Sequence, residues 1–407
     1  ADAAELADRA GKAGKALAAG EPAGLRLLRQ QGVFVGRGAP GKVAFLYPGQ
    51  GSQYVGMLGG LRAAEPIVAD TFGEADRVMA PLLGGRPLTS YIFVDGADPA
   101  ARAAAEDALR QTAITQPAIL ATDLALTRLL DAYGVRPDLV MGHSLGEYGA
   151  LVAAGALSLA DALEAVSARG REMTQVAVAD NGWMVAVTAP LAAIEAAVAA
   201  ADGYVVIANL NSKKQAVIGG ASAAVERTMQ RLVGDGHTCV RLPVSHAFHT
   251  RIVAPASEPL RAVLERLDVR PPRLPVIANV TGARYPMAAD ARPAIIDLLA
   301  RQVAAPVQFI AGLEALYAEG ERAYFVGDYI TAVTKFETAY AKSQLPQLLY
   351  NVGLAGFLSL SGAANGFSFL ATGSPVHMAP AAITGAFTFT IDSVPGTCAN
   401  GTTSLSC

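Results

Sequence analysis

One stretch constrains this chain more than any other: Leu139-Val140-Met141-Gly142-His143-Ser144-Leu145-Gly146-Glu147-Tyr148. A short apolar run enters Gly-x-Ser-x-Gly, and an alanine-rich, helix-forming run from Gly149 to Ala162 leaves it. That is the pattern of a nucleophile elbow, a sharp strand-to-helix turn that exposes a serine hydroxyl. Gly142 and Gly146 suit it, because a Cβ on either would clash where the chain crowds against itself. The emerging helix points its N-terminal amides at the serine, where they stabilise developing negative charge. Gly-x-Ser-x-Gly alone also occurs in many structural turns. Its place between strand and helix makes Ser144 a nucleophile candidate.

With 407 residues, of which 52% are hydrophobic and 16% charged, the chain has core material for two or three domains, or for one large domain with an insertion. A net charge of −3 gives no reason to expect nucleic acid or an anionic membrane as partner. Cys239, Cys398 and Cys407 form no disulfide framework and fit no metal spacing. A reducing, cytoplasmic setting is therefore expected, with no metal bound. The N-terminus carries no apolar signal segment, and a chain opening on Ala1 reads as a piece of something longer.

Residues 1–37, rich in Ala, Lys, Glu and Leu, read as a helical linker. Val43 to Tyr47 is a buried first strand that breaks into Pro48-Gly49-Gln50-Gly51-Ser52-Gln53. A phosphate loop would need a Gly-Lys-Ser/Thr ending, which this loop lacks. Helical periodicity follows from Pro66 to Leu82 and from Ala100 to Leu109, and Thr115-Gln116-Pro117 opens a long helix through Tyr133. Strands alternating with helices imply an α/β fold with a mainly parallel sheet. Beyond the elbow a helix from Leu159 is expected to reach about Val178. The order then becomes β-α-β-β-α-β over residues 179–242, a ferredoxin-like subdomain inserted in a core made of 38–178 and 243–320. A cleft between the two would suit a ligand.

A serine hydroxyl needs a base to take its proton. Of five histidines, His143 adjoins Ser144 and points away, His237 sits in a polar turn expected to be exposed, and His377 lies in an atypical tail. His246 and His249 remain, on the segment returning from the insertion, and the residues themselves do not choose between them. Arg169 and Arg171 follow the serine in what reads as the same helical region. Either is an ordinary solvated charge or, flanked by Gly170 and followed by Met173, a carboxylate clamp.

Six segments taken in order, Pro48–Gln53, Gly142–Glu147, Arg169–Met173, Asn209–Ser212, Ser245–Thr250 and Asn279–Gly282, resemble the malonyl-CoA:acyl carrier protein transacylases. The nearest likeness is to the acyltransferase domain of type I polyketide and polyunsaturated fatty acid synthases, over about Val43 to Gly320. The resemblance implies an α/β-hydrolase-like core with a ferredoxin-like insertion. It implies Ser144 as nucleophile, His249 as base and a backbone carbonyl at Gln302 orienting that histidine. It also implies an oxyanion hole from the amides of Gln50 and Leu145, and Arg169 as partner of the malonyl carboxylate. A neutral acetyl group would leave that guanidinium unpaired, at a cost of a few kcal/mol. His246, Phe248 and Leu145 match the malonyl-selective pattern, with the bulk of Phe248 set against an α-methyl branch. Malonyl-CoA is then the substrate and no cofactor is bound. The partner is an acyl carrier protein bearing phosphopantetheine, with neighbouring synthase domains, no nucleic acid and no membrane expected.

The likeness ends near Gly320. The family continues to a Val-Gly-Pro-Gly strand end, whereas this chain reads Ala323-Tyr-Phe-Val-Gly-Asp-Tyr329. Gly320, Ala332, Phe336 and Ala339 fit one tetratricopeptide-like repeat, so 321–350 reads as helical, either such a repeat or an ordinary hairpin. Residues 351–407 form a low-charge tail of unknown structure in which Asp392 is the sole Asp, Glu, Lys or Arg. Two other functions fit parts of the pattern: a serine ester hydrolase of the α/β type, and a catalytically inactive scaffold that binds carrier protein.

Overall fold

A computed structural model describes residues 3–19, 28, 33, 42–94 and 98–321, and the backbone of 356–360, 366–371 and 388–390. The strands, numbered along the chain, are β1 (Val43–Tyr47), β2 (Leu139–Gly142), β3 (Trp183–Thr188), β4 (Val205–Ser212), β5 (Gln215–Gly220), β6 (Thr238–Arg241), β7 (Val276–Ala278), β8 (Ala283–Arg284), β9 (Gly356–Leu360), β10 (Gly366–Ala371) and β11 (Thr388–Thr390). They form two sheets, ordered β11-β10-β9-β1-β2-β7-β8 and β4-β5-β3-β6.

In the first sheet β1, β2 and β7 run parallel, with Ala44 opposite Leu139 and Met141 opposite Ile277. Alternate side chains on these strands enter two separate cores. Phe45, Tyr47, Val140 and Val276 join the large cluster on one face. Ala44, Leu46, Leu139, Met141 and Ile277 meet Phe309, Leu313 and Leu316 of the helix Phe309–Glu321 on the other. Burial on both faces is why these strands read as continuous apolar runs. The expected parallel core is present, but β8 and β9 pair antiparallel at its two sides, so the sheet is mixed. β9 lies against β1 with Val43 opposite Ser359, and β10 and β11 continue outward in antiparallel sense.

The second sheet is wholly antiparallel, and its order is that of a ferredoxin-like unit. Helices Leu191–Ala199 and Ser222–Gly234 supply the two crossings. The whole unit sits in the connection between the adjacent parallel strands β2 and β7. It is stitched to the core where Leu210 N–H donates to Val307 O (2.9 Å) and Val307 N–H to Ala208 O (2.8 Å).

The expected single helical region after the elbow is corrected. A helix Gly146–Ala153 stops before Gly155, whose φ of 73° is left-handed. A second helix, Leu159–Thr174, restarts on Ser158, whose Oγ accepts from Asp161 N–H (3.0 Å), and it ends well short of Val178. The long helix before β2 spans Thr112–Ala132, opening earlier than the Thr-Gln-Pro signal suggests. The break after the elbow lets Leu159–Thr174 fold back against Thr112–Ala132, so closely that a Cβ on Gly170 would stand 3.0 Å from Thr112 O. At the N-terminus, Ala3–Ala19 is a largely exposed helix. Glu321 closes the helix Phe309–Glu321, while the rest of the 321–350 repeat, His377, Cys398 and Cys407 lie outside the described residues.

Candidate active site

The elbow is built as its glycines require. A Cβ on Gly142 would stand 1.9 Å from Gly146 C, and one on Gly146 would stand 2.2 Å from Tyr47 O. Ser144 itself has a left-handed φ of 52°. Asn279, just beyond β7, clamps the turn from below. Its Oδ1 accepts from Ser144 N–H (2.5 Å) and its Nδ2 donates to Gly142 O (2.7 Å).

Of the two histidines left open by residue type, His249 meets the serine: Ser144 Oγ lies 2.7 Å from His249 Nε2. His249 also has a left-handed φ, 60°. Its Nδ1–H donates to two backbone carbonyls, Gln302 O (3.0 Å) and Ala305 O (3.1 Å). That fixes the tautomer, leaving Nε2 as a bare acceptor facing the hydroxyl. Burial, then the positive charge of Arg169 and the neighbouring His143, push the imidazole down to about 3, so it stays neutral.

Arg169 is 2% exposed. Its Nη2 donates to Ser144 Oγ (3.2 Å) and to Gln302 Oε1 (3.1 Å), and among the described residues its Nε has no acceptor. A buried guanidinium with an unsatisfied donor beside the serine hydroxyl is suited to an incoming carboxylate. Arg171 is exposed and pairs with Glu172, an ordinary surface charge. Gln302 does more than offer its carbonyl. Its Nε2 donates to Ser144 O (2.8 Å) and to Glu147 Oε2 (2.6 Å).

Glu147 is fully buried. It accepts from Gln302, from Asn279 N–H (3.2 Å) and from the Tyr285 hydroxyl. Burial outweighs these donors and raises its carboxyl to about 7. The N–H groups of Gln50 and Leu145 have no protein acceptor among the described residues, as a site for a developing oxyanion requires. The Gln50 side chain reaches Thr112 Oγ1 (3.2 Å). His143 points away from the serine as expected. It donates from Nε2 to Asn211 Oδ1 (2.8 Å) and meets the Phe309 ring edge-on at 5.1 Å. His246 is buried, with Nε2 donating to Val176 O (3.1 Å) and its ring stacked on Phe248 at 6.5 Å. His237, expected to be exposed, is half-buried between a helix and β6. Among the described residues no three His, Cys, Asp or Glu side chains are grouped to hold a metal, and no helix is long and apolar enough to cross a membrane.

Sequence reasoning did not identify Glu147, Asn279, Tyr285, Asn211 or Ala305 as part of this network. An acid in the first turn of an otherwise apolar helix was a usable signal for Glu147. Nothing local marks Tyr285, which arrives from the loop after β8.

The fold and this grouping define an α/β protein with an elbow serine held between an imidazole and a buried guanidinium. Comparison narrows the class: the acyl transferase domain family matches residues 44–327, and the chain belongs to it. A malonyl CoA-acyl carrier protein transacylase of Bacillus subtilis is 36% identical over 284 residues, 69% of this chain and 84% of that protein. The spectinabilin polyketide synthase system protein NorB of Streptomyces orinoci is 38% identical over 306 residues, 74% of this chain but 14% of NorB. Among solved structures, the malonyl-CoA:acyl carrier protein transacylase of Xanthomonas oryzae pv. oryzae shares 38% identity with a TM-score of 0.60, covering 68% of this chain and 84% of that one.

Proposed function

We propose that this chain moves a malonyl group from malonyl-CoA, through an acyl ester on Ser144, to the phosphopantetheine thiol of an acyl carrier protein. The observation that carries the reading is the buried Arg169 guanidinium, unsatisfied at Nε and 3.2 Å from the Ser144 hydroxyl. Ser144 Oγ attacks the thioester carbonyl while its proton passes to His249 Nε2. The resulting oxyanion is held by the amides of Gln50 and Leu145. Collapse expels coenzyme A as a thiolate, which recovers the proton from His249. The carrier thiol then gives its proton to His249 and attacks the acyl ester, and that proton returns to Ser144 as the product thioester leaves. Arg169 pairs with the free carboxylate of the acyl group, which favours malonyl over acetyl. His246, Phe248 and Leu145 match the malonyl-selective pattern, and the bulk of Phe248 set against an α-methyl branch favours malonyl over methylmalonyl. Neighbouring synthase domains are the natural context, given the match to a short part of NorB.

An ester hydrolase usually orients its histidine with a carboxylate. Among the described residues His249 Nδ1 meets only carbonyls, which supports transfer over hydrolysis. The test is incubation with labelled malonyl-CoA, acetyl-CoA or methylmalonyl-CoA, intact-mass detection of acyl-Ser144, and then addition of carrier protein bearing phosphopantetheine. Malonyl label that appears on Ser144 and moves to the carrier is the expected result. Release of free malonate would favour a hydrolase, absence of label an inactive scaffold, and equal methylmalonyl loading would remove the selectivity assignment. Arg169→Ala is expected to lose malonyl loading by about 100-fold while acetyl loading changes far less.

A further inference from the structure

Arg169 is buried, and among the described residues no carboxylate is in direct hydrogen-bonding contact with it. Its nearest hydrogen-bonded link to an anion runs through one side-chain amide. Gln302 accepts from Arg169 at Oε1 (3.1 Å) and donates from Nε2 to Glu147 Oε2 (2.6 Å). Glu147 is held there by the Asn279 amide and the Tyr285 hydroxyl, and Tyr148 is buried close by. A direct ion pair would cap the guanidinium and compete with substrate, while a guanidinium with no counter-charge would be costly to bury. An amide polarised at both ends lies between those extremes, coupling the two charges without bringing them together.

We propose that Glu147 is the counter-charge of Arg169, a positioning residue that acts through Gln302 to weaken the hold of the guanidinium on an acyl carboxylate, so that the malonyl group is recognised without being trapped. The inference rests on the malonyl reading above. Where Glu147 is ionised, as at the pH 8 of the test below, two negative groups share one buried cation, and the substrate carboxylate binds against the residual field of Glu147. Nothing in the reaction itself needs Glu147, so its effect belongs to donor choice and to binding. A purely structural role would instead disturb all donors alike.

Glu147→Gln keeps the size of the side chain. It retains an acceptor for Gln302 and Asn279, and offers an amide that can donate to the Tyr285 oxygen. Measured at pH 8, it is expected to lower the KM for malonyl-CoA by about tenfold and leave that for acetyl-CoA unchanged. In an Arg169→Ala background the same substitution is expected to leave the malonyl-to-acetyl ratio where it was. Tyr285→Phe removes one donor from the charged form and is expected to shift the malonyl KM the same way by about twofold, which keeps the idea testable should Glu147→Gln fail to fold. Equal shifts for both donors, a rise in malonyl KM, or an effect that persists without Arg169 would overturn the inference. Wild-type protein that takes no malonyl label at all would overturn the proposed function instead.

Discussion

Burial sets the protonation of His249 and Glu147 in opposite senses, and each leaves a signature in stability. Folding lowers the imidazole from 6.5 to about 3, so below about 6.5 the unfolded chain takes up a proton that the folded one refuses. Stability is therefore lost as pH falls from 6.5 toward 3. Folding raises the Glu147 carboxyl from 4.5 to about 7, so the unfolded chain releases a proton that the folded one keeps. That contribution is lost as pH rises from 4.5 toward 7. Urea unfolding across this range is expected to show a shallower acid decline in His249→Asn and a shallower decline above pH 4.5 in Glu147→Gln. Curves parallel to wild type would refute both assignments. The left-handed φ of 52° at Ser144 gives another expectation at this scale. Ser144→Thr keeps the hydroxyl but puts a β-branched side chain where such backbone is an outlier, so it should lose acyl-enzyme formation, measured by intact mass. Ser144, His249 and Arg169 were open to sequence as candidates because the family resemblance attaches a role to each. Glu147 closes one of the same motifs, but its place in the network was not legible, since it comes from three donors that converge only after folding.

Among the elements, the elbow tolerates least. Gly146→Ala would drive a Cβ to 2.2 Å from a backbone oxygen of Tyr47, which cannot swing aside as a side-chain tip can. A loss of about 3 kcal/mol or more is expected in chemical denaturation. Ser158→Ala should cost about 1 kcal/mol, because it removes the cap that restarts the chain after Gly155. β1, β2 and β7 were legible as apolar runs because both faces of each are covered. The ferredoxin-like order was legible because its strands and helices alternate at short, clear intervals. The break between Ala153 and Leu159 was not, because alanine-rich sequence favours helix on both sides of it. The left-handed Gly155, the Ser158 cap and packing against Thr112–Ala132 together make two short helices better than one long one.

For the whole molecule, the seam between the two sheets runs past the elbow, through the Leu210–Val307 backbone pair and the His143–Asn211 contact. Asn211→Ala leaves a part-buried imidazole nitrogen without its acceptor, at a cost of about 1 kcal/mol. Amide exchange at Leu210 and Val307 should then quicken together, and independent exchange of the two would argue against a shared seam. The docking was not legible in sequence, since a single bridge between a strand and a distant loop leaves no periodic trace. Ser144 and His249 stand 105 residues apart with the ferredoxin-like unit between them. Its entry strand β3 pairs with its exit strand β6, Val185 opposite Arg241, so the insertion ends close to where it begins. In folding terms, a long and entropically costly loop closure becomes a short one once that unit has formed. A subdomain that closes on itself first would thus serve as an internal chaperone for the site, its own folding carrying the histidine back to the serine.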